Sequence, residues 1–378
     1  MRKSDTSRFG VEPPARPGEG VVLGMSGGVD SSTAALLLRD AGYAVVGVTF
    51  RFHCGGCGGR GLAEDPNVAR ARSVCRALGI EHMAVDASAP FGEKVVESFV
   101  GEYRRGRTPN PCVVCNETVK FPSLASVADS IGAAMIATGH YARASRDASG
   151  KVWLEKGADP SKDQSYFLYR VPVSLLERCL FPLGGTTKQE VRKAASAAGL
   201  FQRAGTRGGA ETGGRESQDV CFIPDGDLAG FLSSRIGPVP GEVVDESGRV
   251  IGSHEGVHRY TVGQRRGLGI SGAVPMFVRS IDPAANRIVL AENDRLFSGS
   301  ASCFRLRMRV RRPAPPLKAK IRFRHNPAEV ARIDVEGGAC TVVFAERQRA
   351  VTPGQSLVLF DGARVVGGGI ITGSGTDG

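Results

Sequence analysis

The chain has 378 residues, 41% of them hydrophobic and 23% charged, with a formal net charge of +11, a balance that fits a globular protein of two or three domains and excludes fibrous or low-complexity chains. No apolar run reaches the length of a membrane span, and the first twenty residues carry charges and prolines without the apolar stretch of a signal peptide, so a cytoplasmic protein with no membrane partner is expected. The excess of basic residues points towards a polyanionic partner, and nine cysteines are too sparse for a disulfide scaffold, which leaves catalysis, metal binding or core packing.

Residues 1–19 read as a disordered tail, and from about residue 21 short β-rich runs alternate with helical patterns. Strands are predicted at 21–24, 44–50, 81–85 and 134–138, and helices at 33–39, 67–78, 93–104 and 122–131. This alternation predicts an α/β fold, a doubly wound parallel sheet whose ligand sits beyond the carboxyl ends of its strands. The first strand runs into Gly24-Met25-Ser26-Gly27-Gly28-Val29-Asp30-Ser31-Ser32, where glycines let backbone N–H groups approach an anion and a helix N-terminus adds positive potential. No lysine follows the glycines, so this is not a Walker loop. The plain alternative is a glycine turn opening a surface helix.

Past residue 200 the texture changes. TRGGAETGGR at 206–215 is too rich in glycine for an ordered element, and from Gly241 onward short β-like runs separated by turns predict a small barrel. Within 304–312, Phe304, Leu306, Met308 and Val310 alternate with Arg305, Arg307, Arg309 and Arg311, a pattern that as a regular strand puts four guanidinium groups on one face for nucleic-acid phosphate. Among the cysteines, Cys75, Cys179, Cys303 and Cys340 have apolar neighbours and read as core. Cys112 and Cys115 lie two prolines into a loop that opens a helix, where a thiolate is favoured. With Cys54 and Cys57 they also allow a four-cysteine zinc site, but zinc ribbons present both pairs on matched turns, whereas here one pair follows an apolar strand and the other precedes a helix, so no metal ligand is expected. Cys221 follows the glycine-rich stretch, whose mobility lets it reach another site.

TPNPCVVCN (108–116), ATGHYAR (137–143), KDQSYFLY (162–169), ESQDVCFI (216–223), YTVGQRRGLGI (260–270) and VTPGQS (351–356), in this order behind SGGVDSS, resemble the bacterial tRNA-specific 2-thiouridylases of the PP-loop ATP pyrophosphatase superfamily. The resemblance covers nearly everything from Val21 to Thr372. It implies a PP-loop nucleotide-binding domain at 20–215, a central tRNA-binding domain at 216–275 carrying the second catalytic cysteine, and a C-terminal β-barrel at 276–378. The implied activity is 2-thiolation of the wobble uridine of tRNA: ATP adenylates the C2 carbonyl oxygen, and sulfur from a cysteine persulfide replaces it.

By motif position the resemblance makes Cys221 the persulfide carrier and Cys115 the other catalytic cysteine. It gives Gly24, Met25, Ser26, Gly27, Gly28, Val29, Asp30 and Ser31 to the phosphates of ATP, with Asp30 helping to hold Mg2+, and Phe50 and Gly139 to the adenosine. Asn110, Pro111 and Cys112 match the segment that receives the flipped base. His140, Lys162, Asp163, Gln164, Arg322, Phe323 and Gln355 match tRNA contacts. The implied partners are tRNA and a sulfur donor, either a cysteine desulfurase or a sulfur-relay protein.

Three departures stand out, one of them the Gly- and Cys-rich stretch 54–61, which is unlike the family's. Cys112 stands where many members have aspartate, and Arg70 where they have an acidic residue. Cys112, Cys115 and Cys221 together open an alternative in which a [4Fe-4S] cluster carries the sulfur. A PP-loop synthetase or amidotransferase acting on a small molecule, and a non-catalytic RNA-binding module, are the rivals from other classes.

Overall fold

The apolar Val21-Val22-Leu23 is fully buried and forms the centre of β1 (Gly20–Gly24), the middle strand of a parallel sheet. On one side β1 pairs with β2 (Ala44–Arg51), which pairs with β3 (Glu81–Asp86); on the other lie β4 (Met135–Ala137) and β7 (Cys179–Leu180). The order is therefore β3-β2-β1-β4-β7. Such a sheet is covered by helices, which is why its strands carry near-continuous apolar runs instead of alternating ones. The computed structural model describes residues 9–52, 62, 65–200, 220–223, 226–270, 274–311, 313 and 315–375. The expected loop at 206–215 and the zinc candidates Cys54 and Cys57 lie outside them.

The chain divides into two units, one running up to Lys94 and resuming over Val113–Phe222, the other made of Val95–Cys112 and the chain from Ile223 onward. In the first, α1 (Val29–Ala41) stops where Gly42 turns left-handed at φ 101°. The next helix, α2 (Pro66–Leu78), starts on Asp65, whose carboxylate accepts from the Asn67 and Val68 N–H groups. Leu36, Leu37 and Leu38 of α1 join Val74, Cys75 and Leu78 of α2 and Val21 and Leu23 of β1 in one core. Phe9 and Val11 also belong to it, 2% and 6% exposed, which corrects the expectation of a disordered tail reaching residue 19. Burying two such side chains stabilises by roughly 1.5–3 kcal/mol each, a gain that composition alone does not reveal.

One helical stretch continues from α3 (Pro111–Cys115) through a π turn, Asn116–Lys120, into α4 (Phe121–Ser130). A hairpin of β5 (Ala142–Arg146) and β6 (Val152–Lys156) follows β4. After β7, α5 (Lys188–Ala197) opens on a capping box in which Thr187 and Glu190 satisfy each other's backbone N–H groups.

The second unit holds α6 (Leu228–Ile236) and two β assemblies. The first is a four-stranded sheet, β10-β11-β8-β9, made from β8 (Gly241–Val244), β9 (Val250–His254), β10 (Phe277–Asp282) and β11 (Arg287–Ala291). Its core is Val243, Val278, Ile288 and Leu290. The second is a closed antiparallel barrel of β12 (Phe297–Met308), β13 (Leu317–Lys320), β14 (Ala328–Glu336), β15 (Ala339–Arg349), β16 (Ser356–Asp361) and β17 (Arg364–Ser374). In the order β12-β15-β14-β13-β16-β17 it closes through β12–β17 pairing, which removes free edges.

Three expectations shift. Residues 277–291 pair with β8 and not with the barrel, so the barrel begins at Phe297 and not at 276. Cys221 falls in the first unit, because Phe222 is buried there against Phe91 at a ring separation of 5.7 Å. The arginine strand is not regular: its ladder to β17 slips between Phe304 and Arg307, Arg305 takes a left-handed φ of 52°, and β12 ends at Met308. Arg305, Arg307 and Arg311 are exposed, whereas Arg309 turns inward, where burial pulls its guanidinium down to about 10.

Candidate active site

The glycine loop is tied to the sheet at its start, where the Met25 N–H donates to the Val48 carbonyl at 2.8 Å and the Thr49 hydroxyl donates to the Met25 carbonyl at 2.9 Å. Gly27 is left-handed at φ 71°, and a Cβ there would meet the Ala71 nitrogen at 2.8 Å, so α2 can lie directly against the loop only over glycine. Ser31 stitches the turn: its hydroxyl lies 3.1 Å from that of Ser26, accepts from the Ser26 N–H at 3.2 Å and donates to the Gly28 carbonyl at 3.3 Å. Gly28 caps α1 without a side chain, which leaves the first N–H groups of the helix to an anion. Gly139 packs on this turn, since a Cβ there would stand 3.2 Å from the Ser31 nitrogen.

Asp30 differs from expectation. Both its oxygens lie 2.7 Å from Lys188 Nζ, and Oδ1 also accepts from the Tyr141 hydroxyl at 2.7 Å. The carboxylate expected to face a magnesium ion is thus held by a lysine from α5. Arg70, the departure from the family's acidic residue, donates to the Ser26 carbonyl at 3.3 Å and to Asn67 Oδ1 at 2.7 Å, bringing a second cation to the loop.

Cys115 and Cys221 come together in the first unit, close enough for a charge on one to be felt by the other. The segment carrying Cys221 is anchored by an aromatic row: Phe50 stacks on Phe52, Phe52 on Phe91, and Phe222 meets Phe91 edge-on. Helix position was expected to favour the Cys115 thiolate, but burial pushes this thiol up from its ordinary value, as it does that of Cys221. The Lys120 ammonium opposes the rise at both sulfurs. Lys120 ends the π turn that follows Cys115, and such turns inside helices frequently mark functional positions. His140 stacks on Phe121 with ring centroids 6.0 Å apart, and burial, aided by Lys120, keeps its imidazole neutral. The helix is braced by a buried pair, Arg170 reaching Glu117 at 2.5 and 2.9 Å, and by Asn116 donating to the Phe167 carbonyl at 3.1 Å.

Three family models match in succession: the tRNA methyl transferase HUP domain over residues 19–225, its PRC-barrel domain over 229–292, and the aminomethyltransferase β-barrel domain over 304–371. The chain is 42% identical over 362 residues to the tRNA-specific 2-thiouridylase MnmA of Geotalea uraniireducens, covering 93% of this chain and 94% of that protein. The chain belongs to the tRNA-specific 2-thiouridylase family. Its likeness to the enzymes so named from Dehalococcoides mccartyi, 41% over 354 residues, and Synechocystis, 42% over 359 residues, covers 93% of this chain in both cases and 96% of each relative.

The remaining 2-thiouridylase motif residues divide by what they touch. Asn110, Pro111 and Cys112 belong to the second unit, where the strap before them is clamped: Thr108 N–H donates to the Pro353 carbonyl at 2.8 Å, and Gln355 Nε2 donates to the Thr108 carbonyl at 2.8 Å. Gln355, expected at tRNA, commits its amide to this clamp. Asp163 is 6% exposed and accepts from the Gly157 and Ser165 N–H groups, both at 3.1 Å, so it braces a turn instead of presenting a carboxylate. Gln164 accepts from the Tyr141 N–H at 3.0 Å, and Lys162 is half-buried beside it. Arg322 donates to the Arg349 carbonyl at 3.1 Å, and Phe323 lies under Lys320 at 5.5 Å. Cys75, Cys179, Cys303 and Cys340 are buried as expected.

Cys112 is exposed, and among the described residues no three His, Cys, Asp or Glu side chains are grouped as metal ligands. Among the described residues no helix is long and apolar enough to cross a membrane. Lys120, Lys188, Tyr141 and the Phe52–Phe91–Phe222 row escaped sequence reasoning. Tyr141 and Phe222 carried a signal, their places inside ATGHYAR and ESQDVCFI.

Proposed function

We propose that this protein is an ATP-dependent tRNA sulfurtransferase that converts the C2 carbonyl of the wobble uridine to a thiocarbonyl, acting in the cytoplasm. The observation that carries the reading is the nearness of Cys115 and Cys221, the charge of one felt at the other, in the unit that also holds the phosphate loop, in a chain of the 2-thiouridylase family. The open N–H groups at Gly28 and the start of α1 hold the phosphates while the uridine O2 attacks the α-phosphorus; the bond to the β-phosphate breaks and pyrophosphate leaves. The oxygen is now part of AMP, a far better leaving group.

Cys221 receives a sulfane sulfur from a cysteine desulfurase or relay protein and stands as a persulfide. The Cys115 thiolate attacks Cys221 Sγ, forms a disulfide and releases hydrosulfide; the two thiols are oxidised as the sulfane sulfur is reduced. Hydrosulfide adds to C2 and AMP departs, leaving C=S. An external thiol then reduces the disulfide for the next turnover. A magnesium ion accompanying ATP would supply charge neutralisation at the phosphates, and Asp30 is the nearest loop carboxylate, although Lys188 already holds it. The strap bearing Asn110, Pro111 and Cys112, held by Gln355 and Pro353, is suited to receive a flipped base.

The test separates activation from sulfur transfer. Cys115→Ser and Cys221→Ser are each expected to lose thionucleoside formation while keeping tRNA-dependent pyrophosphate release, and Cys112→Asp to keep both. Thiolation surviving in Cys221→Ser, or ATP turnover indifferent to tRNA, overturns the reading.

A further inference from the structure

The sulfur transfer above uses Cys115 and Cys221 and leaves a second pair of thiols in the barrel without a task. Cys303 and Cys340 are direct partners in the antiparallel β12–β15 ladder, 1% and 3% exposed, with their sulfurs 2.9 Å apart. Residues directly opposite each other in such a ladder have Cα atoms about 4.5 or 5.5 Å apart, and both values fall within the span of about 4.4–6.8 Å that a disulfide bridges. The backbone therefore already holds the two thiols at bonding separation.

A plain alternative is that two cysteines fill the barrel as small apolar residues. Three features go beyond packing. The ladder from β12 to β17 slips between Ser302 and Cys303 and again between Phe304 and Arg307, so pairing is interrupted on both sides of Cys303. Cys340 directly follows Gly337, Gly338 and Ala339, an exposed turn in which both glycines are left-handed, at φ 53° and 83°. A small oxidant thus has a short route from the barrel rim to the sulfurs. The thiols are also unequal: donation from Cys303 pulls Cys340 below its ordinary value, while the same contact and burial push Cys303 well up. Cys340 is the better nucleophile of the two.

We propose that Cys303 and Cys340 are a redox-modification site, closed to a disulfide by a peroxide and reopened by a low-molecular-weight thiol. The Cys340 thiolate attacks one peroxide oxygen; the O–O bond breaks, hydroxide leaves and the sulfur becomes a sulfenic acid. Cys303 Sγ then attacks Cys340 Sγ, the S–O bond breaks, and the Cys303 proton departs with the oxygen as water. Two thiols lose two electrons and two protons, and one peroxide becomes two waters. The new bond ties β12 to β15 two residues before Arg305, so it staples the strand that carries the exposed Arg305 and Arg307. Nothing in this step depends on ATP or on thiolation.

The experiment treats the reduced, full-length protein with hydrogen peroxide, blocks remaining thiols with iodoacetamide under denaturing conditions and digests with trypsin without reductant. A cross-linked product of peptides 296–305 and 333–347 is expected, two hydrogens lighter than their sum and lost on adding dithiothreitol. It should persist in a Cys115→Ser, Cys221→Ser background, which excludes exchange with the catalytic pair. In that background oxidation should raise the melting temperature by about 5 °C or more, and adding Cys303→Ala and Cys340→Ala should abolish the shift. In Cys303→Ser the Cys340 sulfenic acid should be trapped by dimedone. Recovery of both peptides as alkylated thiols, or as sulfinic or sulfonic acids with no cross-linked product, overturns the proposal. A cross-link that leaves the melting temperature unchanged overturns the stapling role.

Discussion

Cys115 shows how local surroundings override a rule read from position. A helix N-terminus favours a thiolate, yet this sulfur is 8% exposed, and burial pushes its value above that of an ordinary thiol. At neutral pH it is therefore mostly protonated, and its reactivity should climb with pH, about tenfold per unit, until the thiolate dominates. Alkylation of Cys115 by iodoacetamide, followed by peptide mass spectrometry in a Cys221→Ser background, should place the inflection above the ordinary thiol range. Lys120→Met should move it higher still, because the ammonium that favours the thiolate is gone. An inflection at or below the ordinary value would show that burial does not govern this sulfur. His140 follows the same physics with opposite sign: burial disfavours its cation, so it serves as a neutral hydrogen-bonding ring, 2.8 Å from the Thr138 hydroxyl.

Among elements, the strap before Asn110, Pro111 and Cys112 depends on one glycine. Gly354 has a φ of 92°, and a Cβ there would meet the Thr108 nitrogen at 2.8 Å, its carbonyl carbon at 2.9 Å and its oxygen at 2.9 Å. Gly354→Ala therefore combines a left-handed conformation with a backbone clash, a cost of about 1–3 kcal/mol. The strap should loosen where Gln355 and Pro353 now hold Thr108. Thiolation is expected to fall by at least tenfold while pyrophosphate binding in the other unit stays as in wild type, measured by thionucleoside yield and calorimetry. Unchanged thiolation would mean that the clamp does not position the segment. A tight side-chain pairing instead joins β12 to β15, where Cys303 and Cys340 sit directly opposite each other with their sulfurs 2.9 Å apart in the barrel interior.

For the whole molecule the governing quantity is charge. A net +11 has a counterpart in the exposed Arg305, Arg307 and Arg311, but not in the four aligned guanidinium groups that strict alternation predicts. The bulge at Arg305 breaks the alternation, and Arg309 goes inward. Replacing the three exposed arginines by serine should weaken tRNA binding and reduce the log–log salt slope by about 0.7 to 0.9 for each phosphate no longer neutralised. Filter binding across a salt series reads the slope directly. An unchanged slope would place the RNA elsewhere.

The parallel sheet, the phosphate loop, the β-rich C-terminal third and the four core cysteines were legible in the sequence, because each depends on neighbours within a few positions: apolar runs, glycines at a turn, caps at a helix end. The family motifs likewise named Cys115 and Cys221 as partners. What only the tertiary structure decided are the long-range encounters. Lys188 on Asp30 spans 158 residues, and Gln355 on Thr108 spans 247. Burial had to be known before the Cys115 thiol could be placed above its ordinary value, and so did the pull of Phe9 and Val11 into the first core. Charge, burial and hydrogen-bond partner are properties of a position in space, and linear spacing carries no record of which distant residue the chain brings there.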